Sequence, residues 1–339
     1  LKLKQLRYIC EVCRHGNHIS AAAEALHTSQ PGISKQIQMI EAELGFEIFR
    51  RRRNRIVGVT EPGAEAIAIA QRILSEVSNL RNLGDDFSAR GGGALTIATT
   101  HTMARYVLPN VIESFIRAHP SVRLRLRQGN PEQICELVDA GEADIAIGTE
   151  TTRTFANLAE IACFQLPRSV IAKADHPILL ASPLTLAEIA KYPIITYDPA
   201  YSGRWKVMSA FKKAKIEPEV IFGAVDADVS KTYVELGLGI AILTTITFDQ
   251  TRDQNLRALD ASHLFEPSTT YIRLRLNTYL RRFVYDFIRL VAPQVTDIAI
   301  RGALKKVGGE QPQAAPGVEE ATTTRRRRVT RPRAAPAGP

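Results

Sequence analysis

From Ala94 onward, short apolar runs alternate with amphipathic segments, and no other feature constrains the fold as strongly. ALTIAT (94–99) reads as a strand and RYVLPNVIESFIRAHP (105–120) as a helix. VRLRLRQG (122–129) alternates with a period of two, PEQICELVDAG (131–141) returns to helical spacing, and ADIAIGT (143–149) is apolar enough for a buried strand. Strands separated by helices form a parallel sheet covered by those helices. After a crossover near Cys163–Pro167 the alternation resumes, with strands RSVIAKA (168–174), YPIITY (192–197), EVIFGAV (219–225) and IAILT (240–244). Helices fall between them at 184–192, 204–215 and 226–239. A strand, TTYIRLRL (269–276), and a helix, TYLRRFVYDFIRLVAP (278–293), close the pattern. The expectation is a two-lobed α/β domain over residues 91–300, with lobe I at about 91–163 and 268–293 and lobe II at about 164–267. Its ligand would sit between the lobes.

Residues 1–60 have a different texture. Ile33, Ile37, Ile40 and Leu44 put one apolar stripe on a helix, while the opposite face carries Gln30, Ser34, Lys35 and Gln38. Upstream, ISAAAEAL (19–26) reads as a short helix capped by Ser20, and its alanines permit close approach of a second helix. His27-Thr28-Ser29 makes the turn, Ser29 caps the next helix, Pro31 sits in its first turn and Gly45 ends it. Helix, tight turn, helix is the layout that sets a second helix into the DNA major groove. The polar face suits base reading, since Gln pairs with adenine edges, Lys with guanine or phosphate, and Ser with either. FRRRRNRIVGVT (49–60) then reads as a hairpin wing whose Arg50, Arg51, Arg52, Arg53 and Arg55 meet the phosphate backbone. Ser29, Gln30, Pro31, Ser34, Lys35 and Gln38 complete the expected contacts with double-stranded DNA.

Residues 61–90 read as one long helix, capped by Thr60, with Pro62 in its first turn. Its stripe of Ile67, Ala70, Ile73 or Leu74, Val77, Leu80 and Leu83 or Phe87 calls for a partner helix, or else packs on its own domain. Arg90-Gly-Gly-Gly93 marks a hinge. The net charge of +9 is uneven: residues 1–60 hold 10 Lys and Arg against 5 Asp and Glu, and residues 301–339 hold 9 against 3. Basic ends around a near-neutral middle point to a polyanionic partner and a separate job for the middle. Residues 301–339 have almost no large apolar side chains and are expected to be disordered. Their cluster RRRRVTRPR (325–333) either holds nucleic acid non-specifically or only aids solubility.

Cys10 and Cys13 form a CxxC, but they lie in an amphipathic helix with no second CxxC, so they read as small buried hydrophobes rather than a redox or zinc site. No run of 18 apolar residues suggests a membrane span. The charged LKLKQLRYICEV start does not resemble a signal peptide, which makes a cytoplasmic location the default expectation. No GxSxG elbow, GxxxxGK[ST] loop or HExxH pair occurs, so no enzyme is expected. A solute-binding protein would use only the two lobes and leave residues 1–60 unexplained.

LRYICEV, ISAAAEALHTSQPGISKQIQMIEAELGFEIFRR and VTEPG closely resemble the N-terminal domain of LysR-type transcriptional regulators. The likeness extends to about residue 293, and IATTHTMARYVLP, GEADIAIGTE and VDADVSKTYVELGLG resemble the branch that controls cysteine biosynthesis and the use of sulfate and sulfonates. The resemblance implies a winged helix-turn-helix, a linker dimerisation helix and a two-lobed effector domain similar to periplasmic binding proteins. It further implies a homotetramer (a dimer of dimers) on promoter DNA, recruitment of RNA polymerase, and control by N-acetylserine, O-acetylserine, sulfate or a related anion, without a cofactor. A sulfonate-type relative would respond to sulfate or adenosine phosphosulfate.

The residues themselves also point to an anion in the cleft. Thr100-His101-Thr102 opens a helix at the end of a strand, and a helix N-terminus offers free N–H groups and positive potential. Thr149 ends the buried strand ADIAIGT, at the rim of the same cleft, and Ser202, in the second-lobe loop YDPAYSGR (197–204), is placed to cap the helix that follows and to donate to a ligand. By resemblance the effector residues fall on Thr100, Thr102, Thr149 and Ser202, with Met103 where the branch usually has Gln and Ser202 where it has Thr. His101 is expected to be structural, and Asp226 and Asp228 to cap the helix that follows them.

Overall fold

Ile33, Ile37 and Ile40 lie on one helix face and lose all solvent exposure. Their burial draws together α1 (Leu3–Arg14), α2 (Ile19–Ala25) and α3 (Gln30–Leu44). The computed structural model describes residues 1–53, 55–87 and 92–305. Ser29 caps α3 by accepting from Gly32 N at 3.3 Å, and Gly45 ends it at a φ of 79°, where a side chain would be strained. The start of α2 differs from expectation. Its N-cap is His18, and Ser20 lies inside the first turn, because Ile19 packs on the core and draws the helix start forward.

β1 (Phe49–Arg52) and β2 (Arg55–Val59) pair antiparallel as the wing. Thr60 Oγ1 accepts from Gly63 N at 3.0 Å and caps α4 (Glu61–Phe87). The first turns of α4 bury Ile67 and Ala70 against the helical core. Further along, Leu80 and Phe87 stay 69% and 73% exposed, so this part of the stripe has little cover. The expected hinge at 90–93 falls partly outside the described residues.

Lobe I begins with β3 (Gly93–Thr99), α5 (Leu108–Ala118), β4 (Val122–Gln128), α6 (Pro131–Asp139), β5 (Ile145–Gly148) and β6 (Leu158–Leu166). Lobe II holds β7 (Arg168–Lys173), α7 (Leu186–Ile189), β8 (Ile194–Tyr197), α8 (Ser202–Lys213), β9 (Val220–Ala224), α9 (Ala227–Glu235), β10 (Ile240–Thr244) and β11 (Leu256–Asp260). The chain then returns to lobe I through β12 (Ser268–Arg275), α10 (Arg282–Val291) and α11 (Asp297–Lys305). The two five-stranded sheets run β4-β3-β5-β12-β6 and β11-β7-β10-β8-β9. Both are mixed rather than parallel throughout: β12 runs antiparallel to β5 and β6, and β7 antiparallel to β10 and β11. The antiparallel strands are those at or beside the two crossovers, where the chain changes sheet without an intervening helix.

β6 and β11, not foreseen as strands, sit at sheet edges, each held by one distant partner. The expected disordered tail also begins too early. α11 runs through Lys305 and buries Ile300 and Leu304 in the core of lobe I. The rest of that tail, with its basic cluster, lies outside the described residues.

Candidate functional site

α3 presents Gln30, Pro31, Lys35 and Gln38 to solvent, with Ser29 exposed at its cap and Ser34 half-buried. The apolar stripe beneath them anchors the helix and leaves this face free. The wing arginines divide into two kinds. Arg52, Arg53 and Arg55 are exposed, while Arg50, also exposed, folds back so that Nε and Nη2 donate to Val59 O at 3.1 and 3.0 Å. Arg51 is half-buried and its Nη2 donates to Glu41 Oε2 at 2.8 Å. Glu41 is itself buried, and its Oε1 accepts from Ile48 N and Phe49 N at 2.8 and 3.1 Å. Arg51 therefore fastens the wing to α3 instead of facing outward with its neighbours.

Cys10 and Cys13 pack against the helical core. Burial pushes the Cys10 thiol up to about 12, so it is a poor nucleophile and a poor metal ligand at neutral pH.

Between the lobes, Thr100, Thr102, Met103, Thr149 and Ser202 line a single cleft whose cavity is about 30 Å³, room for a water or two with the lobes as they stand. Thr100 is buried and Met103 is 1% exposed. Met103 opens a π-helical turn, Met103–Val107, that joins this cleft wall to α5. Such turns are rare and concentrate at functional sites. Ser202 does not cap α8; Tyr201 holds that position. The Ser202 hydroxyl instead donates to Thr149 Oγ1 at 2.8 Å, a bond from one lobe to the other. His101 has a buried Nδ1 with no partner.

Lobe II supplies lining residues that local sequence patterns did not flag. Arg168, Tyr197, Gly203 and Thr244 share the cleft with Leu166, Tyr201 and Ser268. Arg168 is 0% exposed, and burial pulls its guanidinium below its usual range. Gly203 lets α8 approach: a Cβ there would lie 2.7 Å from the Tyr197 ring.

A second polar group spans the lobes outside this cavity. Arg105, from the π-turn, pairs with Asp228 of α9, and Tyr106 OH donates to Asp228 Oδ1 at 2.7 Å. Lys231 Nζ donates to Tyr106 OH at 3.1 Å and to Asp253 Oδ1 at 2.8 Å. Asp226 does cap α9, accepting from Val229 N at 2.8 Å, whereas Asp228 is used across the lobes.

A winged helix-turn-helix joined by a long helix to a two-lobed ligand-binding domain defines a ligand-responsive DNA-binding regulator. Residues 3–64 match the bacterial regulatory helix-turn-helix proteins of the lysR family, and residues 88–296 match the LysR substrate binding domain. The chain belongs to the LysR family of transcriptional regulators and is not an enzyme. It is 44% identical to the HTH-type transcriptional regulator CysB of Burkholderia cenocepacia, over 90% of this chain and 97% of that protein. It is 42% identical to the regulator SsuR of the same organism, over 90% of this chain and 99% of the relative. Among solved structures, the cofactor-binding domain of the Cbl transcriptional regulator superposes with a TM-score of 0.61 at 39% identity, covering 63% of this chain and 95% of that domain. No described helix is long and apolar enough to cross a membrane.

Proposed function

We propose that the chain controls sulfur-assimilation and cysteine-biosynthesis genes by binding promoter DNA through α3 and the wing, under a small effector held between its lobes. Likeness to CysB and SsuR over nine-tenths of the chain supports the regulon. The observation that carries the effector reading is the single cleft in which Thr100, Thr102, Met103, Thr149 and Ser202 meet. The effector is N-acetylserine, O-acetylserine, sulfate or a related small anion. The lobes must part to admit any of these, and furthest for adenosine phosphosulfate. Met103 offers no amide, so the hydroxyls carry recognition on this wall.

Ser29, Gln30, Pro31, Ser34 and Gln38 meet the groove, Lys35 a phosphate at its edge, and Arg50, Arg52, Arg53 and Arg55 the backbone on the wing's side. Arg51 acts from behind, as the wing's fastening. The uncovered stripe of α4 pairs with that of a second copy, and two dimers assemble as a tetramer that engages RNA polymerase in the cytoplasm. The working units are residues 1–60, 61–90 and 91–300. Identity to SsuR only slightly below that to CysB favours, as a second reading, a sulfonate regulator that answers to sulfate.

The test is a thermal-shift titration of the full chain against N-acetylserine, O-acetylserine, sulfate, thiosulfate and adenosine phosphosulfate. A ligand that binds only the folded state raises the midpoint. A shift with an acetylserine supports the cysteine regulon; a shift with sulfate alone, the second reading. No shift with any of them removes the effector assignment.

A further inference from the structure

The floor of the cleft in lobe II holds a cation with no direct ion-pair partner among the described residues. Arg168 opens β7 and is fully buried. Its Nη2 donates to Ser268 Oγ at 2.6 Å, but its Nε and Nη1 are buried without a partner. The nearby carboxylates act on it only from a distance: Lys206 Nζ takes Glu150 Oε1 and Glu266 Oε1, at 2.8 and 2.9 Å, and Glu150 Oε2, though buried and unpartnered, makes no ion pair with Arg168. Among the described residues none forms an ion pair with Arg168. A guanidinium stays protonated in a protein, and a buried charge is normally paired.

Two more polar groups beside it are in the same condition. Tyr197 OH and Thr244 Oγ1 are buried and unpartnered, and both line the cleft with Arg168. The topology explains why they meet. Arg168 of β7 stands opposite Thr244 of β10 in the antiparallel ladder, and Tyr197 ends β8, the strand on the other side of β10. Thr244 and Tyr197 thus lie at the carboxyl ends of neighbouring parallel strands, where open α/β sheets bind their ligands. The N-terminus of α8, a 12-residue helix, lies over the Tyr197 ring and brings Gly203 beside Arg168 Nη1. All of these groups can donate; what the floor lacks is a charged acceptor.

We propose that Arg168, Tyr197 and Thr244 form an anion subsite that takes the carboxylate or sulfate-type oxyanion of the effector. This rests on the effector reading above and adds to it a division of labour. Lobe I and Ser202 present neutral hydroxyls, while lobe II reads the charge. A planar carboxylate or a tetrahedral sulfate offers two oxygens to the free edge of the guanidinium, with the two hydroxyls donating alongside. A neutral isostere of the ligand would leave the buried cation unanswered.

The experiment is isothermal titration calorimetry of the full chain with sodium sulfate, N-acetylserine and the methyl ester of N-acetylserine. The parent is expected to bind sulfate or N-acetylserine, whichever supplies the anion, and the ester about tenfold or more weakly. Arg168→Gln should lose the response to the anion while melting no lower than the parent in the absence of ligand, because it removes an uncompensated buried charge. Tyr197→Phe and Thr244→Val, which leave the arginine in place, should each weaken binding. Equal binding of ester and acid, or unchanged anion affinity in Arg168→Gln, would overturn the subsite and leave the effector reading intact. No binding of any probe by the parent would overturn both.

Discussion

The wing and the cleft floor use the same residue in opposite ways. Arg52, Arg53 and Arg55 hold their guanidinium groups in water, where a charge acts at long range and gives way to salt. Arg168 is sealed from water, where a charge acts at short range and resists screening. Arg51 lies between these extremes, half-buried and spent on Glu41. Burial and partner, not residue type, decide whether an arginine attracts a polyanion, selects a small anion or fastens the fold.

The strongest way to break this contrast is at Glu41. Glu41→Ala strands Arg51 and removes the acceptor for Ile48 N and Phe49 N, and should cost about 3 kcal/mol. Chemical denaturation of the parent and variant measures it; a loss within 0.5 kcal/mol, roughly the noise of a surface change, would mean the wing holds without this fastening.

Lys35→Ala touches only the exposed side of the contrast. It should weaken promoter binding and lower the salt dependence by about one unit of the log–log slope. Fluorescence anisotropy across a salt series reads this. An unchanged slope would take Lys35 off the phosphates.

Tyr106→Phe tests whether the lobes are held together outside the cavity. It deletes one bond to Asp228 and one from Lys231, and should weaken effector binding several-fold, about 1 kcal/mol, with DNA affinity unchanged. Calorimetry with the effector decides, and tighter binding would mean this group opposes closure.

The smallest effect is expected at His176, far from either site. Its Nδ1 accepts from Ile178 N at 3.2 Å, and burial holds its pKa below the usual value of 6.5. A group lowered on folding contributes stability above its unfolded pKa and loses it as the pH falls through the folded value. The melting temperature should therefore drop slightly below about pH 6.5. His176→Asn, which keeps a cap acceptor, should flatten that slope; an identical slope would assign the acid sensitivity elsewhere.

How much of this was legible in the chain follows from the distance over which each feature is set. Ser29, the Ile33/Ile37/Ile40 stripe and Gly45 are local, and the helix forms as they dictate. The run of arginines announced a wing, but the use of Arg51 depends on Glu41, ten residues earlier, and no local pattern tells it from Arg52. The gathering of Thr100, Thr102, Thr149 and Ser202 was readable because strand ends and helix starts can be placed from periodicity and resemblance together. Arg168 was not. RSVIAKA reads as any strand, and the residue's isolation is set by Ser268 and α8, far along the chain. β6 was hidden for the same reason, since its partner β12 arrives only after the whole of lobe II.

On the function proposed above, a ligand in the cleft alters how α3 and the wing hold DNA, through two separable sites. The most direct measurement is a footprint of the full chain on a promoter of a sulfur-assimilation operon, with and without N-acetylserine or sulfate, for the parent, Ser34→Ala and Thr102→Ala. The parent's footprint should change with ligand. Thr102→Ala should give the ligand-free footprint under both conditions, and Ser34→Ala should bind DNA weakly while still taking up ligand. A footprint that ligand leaves unaltered in the parent, or alters equally in Thr102→Ala, would contradict it.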